Sequence, residues 1–156
     1  MAIELSTAGI TVKWAVEATA GTRPTAGYAE IVGVKSISEF NPEPNMIDVT
    51  PLKEPEWHRY IPGLRDAGGA QQLTVNDYDD FRTSWDAMMT AYETAKETGK
   101  ALWIEYNVPG ITGKPSFYYS ATPQPLGFNG AEVDSANDNV AYLTPNIVAG
   151  WAAASA

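Results

Sequence analysis

The chain has 156 residues, with 19 acidic against 10 basic side chains and a formal net charge of −9. That balance disfavours nucleic-acid binding, whose affinity comes largely from Lys and Arg replacing counterions, and the basic residues are scattered rather than clustered. There is no cysteine, which removes disulfides and thiolate chemistry, and the length suits one domain with a core that folds without a metal or cross-link.

Met1-Ala2-Ile3-Glu4-Leu5 has no basic region followed by an apolar run, so neither a signal peptide nor a membrane span is expected. Residues 1–9 read as a loosely held arm. From Thr11 to Glu17, apolar and polar residues roughly alternate, which predicts a strand. Ala18 to Gly27 is rich in Ala, Thr and Gly and reads as a loop. Ile31, Val32, Val34, Ile37 and Phe40 form a strand-like segment in which Gly33 permits a bulge or close backbone approach. Asn41-Pro42-Glu43-Pro44-Asn45 is a turn, so Met46 to Thr50 is expected to pair back antiparallel.

A second strand is expected at Gln71 to Val75. Between the two lie about twenty residues that mix Pro and Gly with large apolar side chains, and a loop of that length is usually functional. Leu52, Lys53, Glu54, Trp57, His58, Tyr60, Ile61, Pro62 and Leu64 are the candidate contact residues, because a solvated loop does not ordinarily carry so many large apolar groups.

One helix is predicted, from about Tyr78 to Thr98. Phe81, Trp85, Met88, Met89, Tyr92 and Ala95 fall on one stripe at a 3.6-residue period, and that stripe is expected in the core against a sheet. Asp77 is placed to cap the first turn, with Asp79 and Asp80 at the positive dipole end. Gly99 is the expected left-handed stop. Arg82, Asp86, Glu93 and Glu97 make the charged face.

Ala101 to Val108 reads as a strand, Pro109 to Pro115 as a turn, and Phe117 to Thr122 as an aromatic strand. Pro123 and Pro125 interrupt it, and Leu126 to Val133 is expected to resume it. Asp134 to Asn139 is a polar loop, Val140 to Val148 a last strand broken by Pro145, and Ala149 to Ala156 a small, uncharged tail marked by Trp151. The predicted fold class is mainly β with one helix (α+β): an antiparallel β-sandwich or barrel flanked by a single α-helix, with a long extended loop.

No catalytic constellation is evident. His58 is the one histidine, without a local orienting partner of the kind a general base needs. No nucleophile elbow or phosphate loop occurs. Two oxygen-rich clusters, Asn76/Asp77/Asp79/Asp80 and Asp134/Asn137/Asp138/Asn139, lack the spacing of an EF-hand and read as helix capping and an Asx-rich turn. Neither a metal nor a cofactor is expected. Phe117, Tyr118 and Tyr119 are adjacent, so at least one must face away from its own sheet's core. That ring suits a subunit contact or a sugar-stacking platform, a choice that Trp57 and Tyr60 also pose.

Three short motifs in the central stretch, Asp48-Val49-Thr50, Tyr60-Ile61-Pro62-Gly63-Leu64 and Asp66-Ala67-Gly68, resemble the major tail protein (tail tube protein) of long-tailed bacteriophages. The similarity extends loosely over most of the chain. It implies a non-enzymatic, structural virion protein, assembled in the host bacterial cytoplasm and located in the virion tail. It implies self-assembly into stacked hexameric rings that form a conduit for DNA delivery. The implied partners are other copies, tail proteins such as the tape measure and terminator, and DNA passing without specific binding; no membrane is involved. The loop residues would then form the subunit and ring interface. The alternative is a calcium-assisted carbohydrate-binding β-sandwich module.

Overall fold

The computed structural model describes residues 9–41, 45–64 and 69–156. Most of the amino-terminal arm, Pro42-Glu43-Pro44 of the expected turn and the Asp66-Ala67-Gly68 motif lie outside the described residues. In chain order the elements are β1 (Thr11–Val16), β2 (Ala29–Glu30), β3 (Val34–Ile37), β4 (Met46–Asp48), β5 (Tyr60–Pro62), β6 (Gln71–Asn76), α1 (Asp79–Lys96), β7 (Leu102–Asn107), β8 (Ser116–Pro123) and β9 (Asp138–Ala152). They fall into two compact units, Met1–Ser38 with Ala70–Ala156, and Glu39–Gly69.

The larger unit is one antiparallel seven-stranded sheet in the order β2-β1-β7-β8-β9-β6-β3. The predicted class, mainly β and antiparallel with a single helix, is the one observed. Strand pairing fixes which residues share a face. Val12, Trp14 and Val16 lie opposite Tyr106, Ile104 and Leu102, which in turn lie opposite Phe117, Tyr119 and Ala121. This row forms one side of the core. Phe81, Trp85, Met88 and Ala95 are the buried residues of α1, which lies against β1. Met89 and Tyr92 sit half-buried at the margin of that stripe. Burial of each large stripe residue contributes roughly 1.5–3 kcal/mol. No helix among the described residues is long and apolar enough to cross a membrane.

The other face of the same strands is buried too, and it is polar. Trp103, Glu105, Ser116, Tyr118 and Ser120 are all inaccessible there. Glu105 accepts hydrogen bonds from Ser155 N (3.1 Å) and Ser155 Oγ (2.8 Å). The Tyr118 hydroxyl lies 2.9 Å from Glu105 Oε2 and 2.7 Å from Ala153 O. The Arg23 guanidinium stands 4.1 Å from the centre of the Tyr118 ring, with Tyr28 beside it. Ala156 N donates to Thr25 O at 3.0 Å. At the edge of this face Glu17 accepts from Trp103 Nε1 (3.0 Å) and Ala101 N (2.8 Å). Segments that the sequence marks only as loop and tail therefore form the second cover. Tyr118 does point away from the helix side, as adjacency demanded, but it is fully buried, and Phe117 is half-buried between Tyr106 and Trp151. The aromatic triplet presents no exposed platform.

Several expectations are corrected. Met46–Asp48 does not pair with the preceding strand; it pairs with β5, through Met46↔Pro62, Ile47↔Ile61 and Asp48↔Tyr60, whereas β3 pairs with β6. The long loop thus carries a hairpin of its own. The segment from Ile31 to Phe40 is split at Gly33, whose φ is +84°, and β3 bulges between Val34 and Ser36. A Cβ at Gly33 would stand 2.7 Å from Tyr78 Cε1, so this is the close approach that glycine permits. Leu126 to Val133 forms no strand, and Phe128 and Val133 are exposed. Pro145 does not end the last strand; it sits opposite Ala121 next to a register shift in β8, a position that tolerates a missing N–H. Asp77 does not cap α1. The N-cap is Tyr78, without a side-chain cap bond, and both Asp77 oxygens are engaged by Arg82 at 2.6 and 2.7 Å. Gly99 does terminate the helix, at φ +73°, with Lys100 N closing onto Ala95 O at 3.1 Å, the Schellman arrangement.

Burial pushes the Glu105 carboxyl up, but hydrogen bonds from Ser116, Ser155 and Tyr118 outweigh it and hold the group below the ordinary glutamate value of 4.5. Glu17 is likewise pushed up by burial and held below 4.5 overall by Ala101 N, Trp103 and Gly21 N. A depressed folded-state pKa means stability that is present above about pH 4.5 and lost as pH falls through the folded-state value. Urea unfolding should therefore show a falling midpoint from about pH 5 to pH 3, with a shallower fall in Glu105→Gln. At neutral pH, Glu105→Ala should cost on the order of 2–4 kcal/mol, since it strands the Ser116 and Ser155 donors; an unchanged midpoint would mean that the second cover contributes nothing. A two-stranded hairpin is marginal by itself. In dilute monomer, amides of β4 and β5 should exchange on the order of a thousandfold faster than those of β7 and β8 by mass-resolved hydrogen exchange; equal protection would contradict a separate, weakly held arm.

Candidate subunit interface

The smaller unit, Glu39–Gly69, is an arm built around the β4–β5 hairpin. Its polar groups are spent on one another. Asp48 Oδ1 accepts from Thr50 N (2.9 Å) and from Thr50 Oγ1, an Asx turn at the end of β4. Thr50 Oγ1 accepts from Arg59 N (2.7 Å), and Val49 N donates to Arg59 O (2.8 Å). Arg59 Nη2 reaches Glu54 Oε2 at 2.7 Å, and Glu54 N closes onto Pro51 O at 3.0 Å. The Thr50 hydrogen bonds, followed by His58, hold the Asp48 carboxyl below its ordinary value.

These bonds run along an exposed turn, with Arg59 and His58 largely in water, and the arm's apolar side chains are exposed beside them. Leu52 is fully exposed, Leu64 is 90% exposed, Trp57 75%, Tyr60 51% and Ile61 47%. Lys53 and Pro62 are exposed beside them. Of the candidate contact residues, Glu54 is half-buried and paired with Arg59, so it braces the arm rather than extending from it. Met46, Ile47 and Val49 are also exposed. They read as ordinary strand residues in the sequence, and the signal that could have marked them is their continuity with the apolar loop.

His58 does have an orienting partner, contrary to the reading from sequence. Asp48 Oδ2 lies 3.2 Å from His58 Nδ1, brought there by the hairpin. Thr50 Oγ1 approaches the same nitrogen at 3.5 Å. Both contacts are to Nδ1 and tie the ring to the turn at the end of β4. The two oxygen-rich clusters meet each other. Asp77 N donates to Asn137 O (2.8 Å) and Asn137 Nδ2 to Asp77 O (3.0 Å). Arg82 neutralises Asp77, and Lys35 reaches Asp138 at 2.9 Å. Among the described residues no group of three or more His, Asp or Glu is placed to hold a metal.

A second apolar surface, absent from the sequence-based candidates, lies on β9: Ile147 is 62% exposed, Trp151 51% and Val148 42%. Ala149–Ala152, the first half of the tail that the sequence marks as small and uncharged, is the end of β9.

No family model matches the sequence, and no curated protein matches it. Solved structures do match. A chain from the tail of an empty gene transfer agent particle, refined helically with C6 symmetry, superimposes with a TM-score of 0.60 at 10% identity, covering 94% of this chain and 98% of that one. A chain from the six-fold symmetrised baseplate of the anti-feeding prophage gives 0.57 at 10% identity, over 94% of this chain and 93% of that one. A chain from the tube-terminating cap of the same prophage gives 0.57 at 14% identity, over 98% and 95%. At these identities the likeness is one of fold, and over nearly its whole length this chain has the fold found in phage-like tails and baseplates.

Proposed function

We propose that this chain is a structural subunit of a phage-like tail, a single tail-tube-like domain that self-assembles into stacked hexameric rings and forms a conduit for DNA delivery. The observation that carries the reading is the near-complete match of fold to a chain in a C6-symmetric tail. The arm supports it: large apolar groups exposed on a hydrogen-bonded turn suit a surface that another subunit covers. A head-to-tail contact closes into a ring, and a second heterologous contact between ring faces grows a filament. The net charge of −9 suits a wall along which DNA phosphates slide without binding. In this reading the chain is a scaffold and not a catalyst. It is assembled in the host cytoplasm, resides in the virion tail, and meets other tail proteins such as a tape measure and a terminator at the tube ends.

The glycan-binding alternative loses two of its supports: Tyr118 and Tyr119 are buried and Phe117 half-buried, and the acidic clusters are tied to Arg82 and Lys35. The exposed rings left to it are Trp57 and Tyr60 of the arm, which lie among the aliphatic side chains of the proposed contact.

Negative-stain electron microscopy of concentrated protein tests the proposal. Six-fold rings or stacked tubes are expected. Leu52→Asp with Trp57→Asp should abolish them while changing monomer stability by only about 0.5 kcal/mol per site, because both side chains are already in water. Discrete monomers from the unaltered chain, at every concentration and salt condition, would count against the reading.

A further inference from the structure

Strand β9 outruns its partners. β6 accompanies it from Asp138 only as far as Leu143, through Gln71↔Leu143. β8 follows it from Leu143 to Ala152. Among the described residues, Thr144 to Ala152 is therefore paired along one side only. An unpaired edge is a template for another strand, and folded proteins usually blunt it with charge, proline, bulges or very short length. Here the edge is long, and Thr144-Pro145-Asn146-Ile147-Val148-Ala149-Gly150-Trp151-Ala152 contains no charged residue, with Pro145 only at its start. Its large side chains Ile147, Val148 and Trp151 stand exposed.

The chain thus carries two unlike apolar surfaces, this edge and the arm. The arm's exposed side chains from Met46 to Leu64 present on the order of 1,000 Å². Monomers rarely expose contiguous apolar patches beyond a few hundred Å², and a stable protein contact covers about 800 Å² on each partner. Arm against arm, or edge against edge, would cover one surface and leave the other in water. Arm against edge covers both in every copy, and because it is heterologous it propagates.

Building on the assembly reading above, we propose that the arm of one copy docks on the Thr144–Ala152 edge of β9 in a second copy. Trp57, Tyr60 and Ile61 would cover Ile147, Val148 and Trp151, and the β4–β5 hairpin would add to the open ladder, the β-augmentation mode of recognition.

The absence of cysteine makes the test direct. Glu56→Cys and Ala149→Cys place thiols beside the two surfaces, at exposed positions, without removing the anchoring side chains. Differently tagged single variants are mixed at high concentration and treated with a short bis-maleimide. The expected result is a cross-link between the 56-bearing and 149-bearing chains, identified by mass spectrometry, and a ladder of oligomers from the double variant. Adding Ile147→Asp should reduce the cross-link at least tenfold with an unchanged circular dichroism spectrum. Thr90→Cys on the exposed face of α1 replaces Ala149→Cys as the control. A 56–149 yield no greater than the 56–90 yield, or Glu56→Cys linking chiefly to itself, would overturn the contact. Micrographs of the same samples separate the two ideas: rings or tubes without the 56–149 link would overturn only this pairing, and neither link nor rings would overturn both.

Discussion

Strand β7 is buried on both faces from Leu102 to Tyr106, and the rest of the larger unit is arranged to make that possible. A sheet with one wet face needs a single cover. A sheet with none needs two, and the described residues offer one helix. The helix covers one side with Phe81, Trp85 and Met88. The other side is closed by the β1–β2 connection and the last four residues, which have little apolar bulk, so the closure is polar: Glu105, Tyr118 and Ser155 on one part, Glu17 and Trp103 on another. Buried polar groups are tolerable when their hydrogen bonds are made, and burial in turn makes those bonds hard to exchange for water.

How much of this was legible in the sequence follows from which constraints are local. Helix α1 was readable because its stripe is a periodic signal along one element, and its end was readable because Gly99 answers a backbone requirement at one residue. The turn at Gly33 was readable for the same reason. The partner of Met46–Asp48 was not, because strand pairing is a non-local choice and the segment that pairs with it, Tyr60–Pro62, reads as loop in the sequence. Asp77 looked like a cap from its position before the helix, yet an arginine five residues on took both of its oxygens. Tyr118 had to face away from its neighbours by simple alternation, but nothing in its surroundings along the chain announces that Arg23, Tyr28 and Ala153 will close over it. The arm was the most legible part of the candidate interface, since Leu52, Trp57, Tyr60, Ile61 and Leu64 violate the usual composition of a loop. The β9 surface was missed because Pro145 suggests a break where the strand in fact continues.

The arm and the β9 edge share a physical logic that differs from the core. In each, large apolar side chains stand exposed while hydrogen bonds between neighbours fix the backbone: those of Asp48, Thr50, Glu54 and Arg59 in the arm, and the β8 ladder with the Ile147 N to Ser120 Oγ bond in β9. Leu52, Trp57 and Ile147 are largely in water in the monomer and contribute little to its folding. Selection on contact chemistry can then act on Leu52, Trp57 or Ile147 with little effect on the core around Glu105 and Trp85. A net charge of −9 keeps such a subunit dispersed before assembly, because like-charged monomers repel at long range, whereas the apolar contact acts only once surfaces meet.

This division also bears on when assembly starts. The β4–β5 hairpin has three residues in each strand, too few to be rigid alone. Ordering it against a neighbour costs conformational entropy, on the order of 1–2 kcal/mol per backbone residue fixed. A first contact between two copies therefore gains apolar burial but loses much of it to ordering. If the chain assembles as proposed, a closed ring docks every arm and covers every edge, so one closing contact adds burial without a further loss of translational freedom. Pairs would then be weak and completed rings strong. Such a subunit would be monomeric when dilute and form rings cooperatively as its concentration rises.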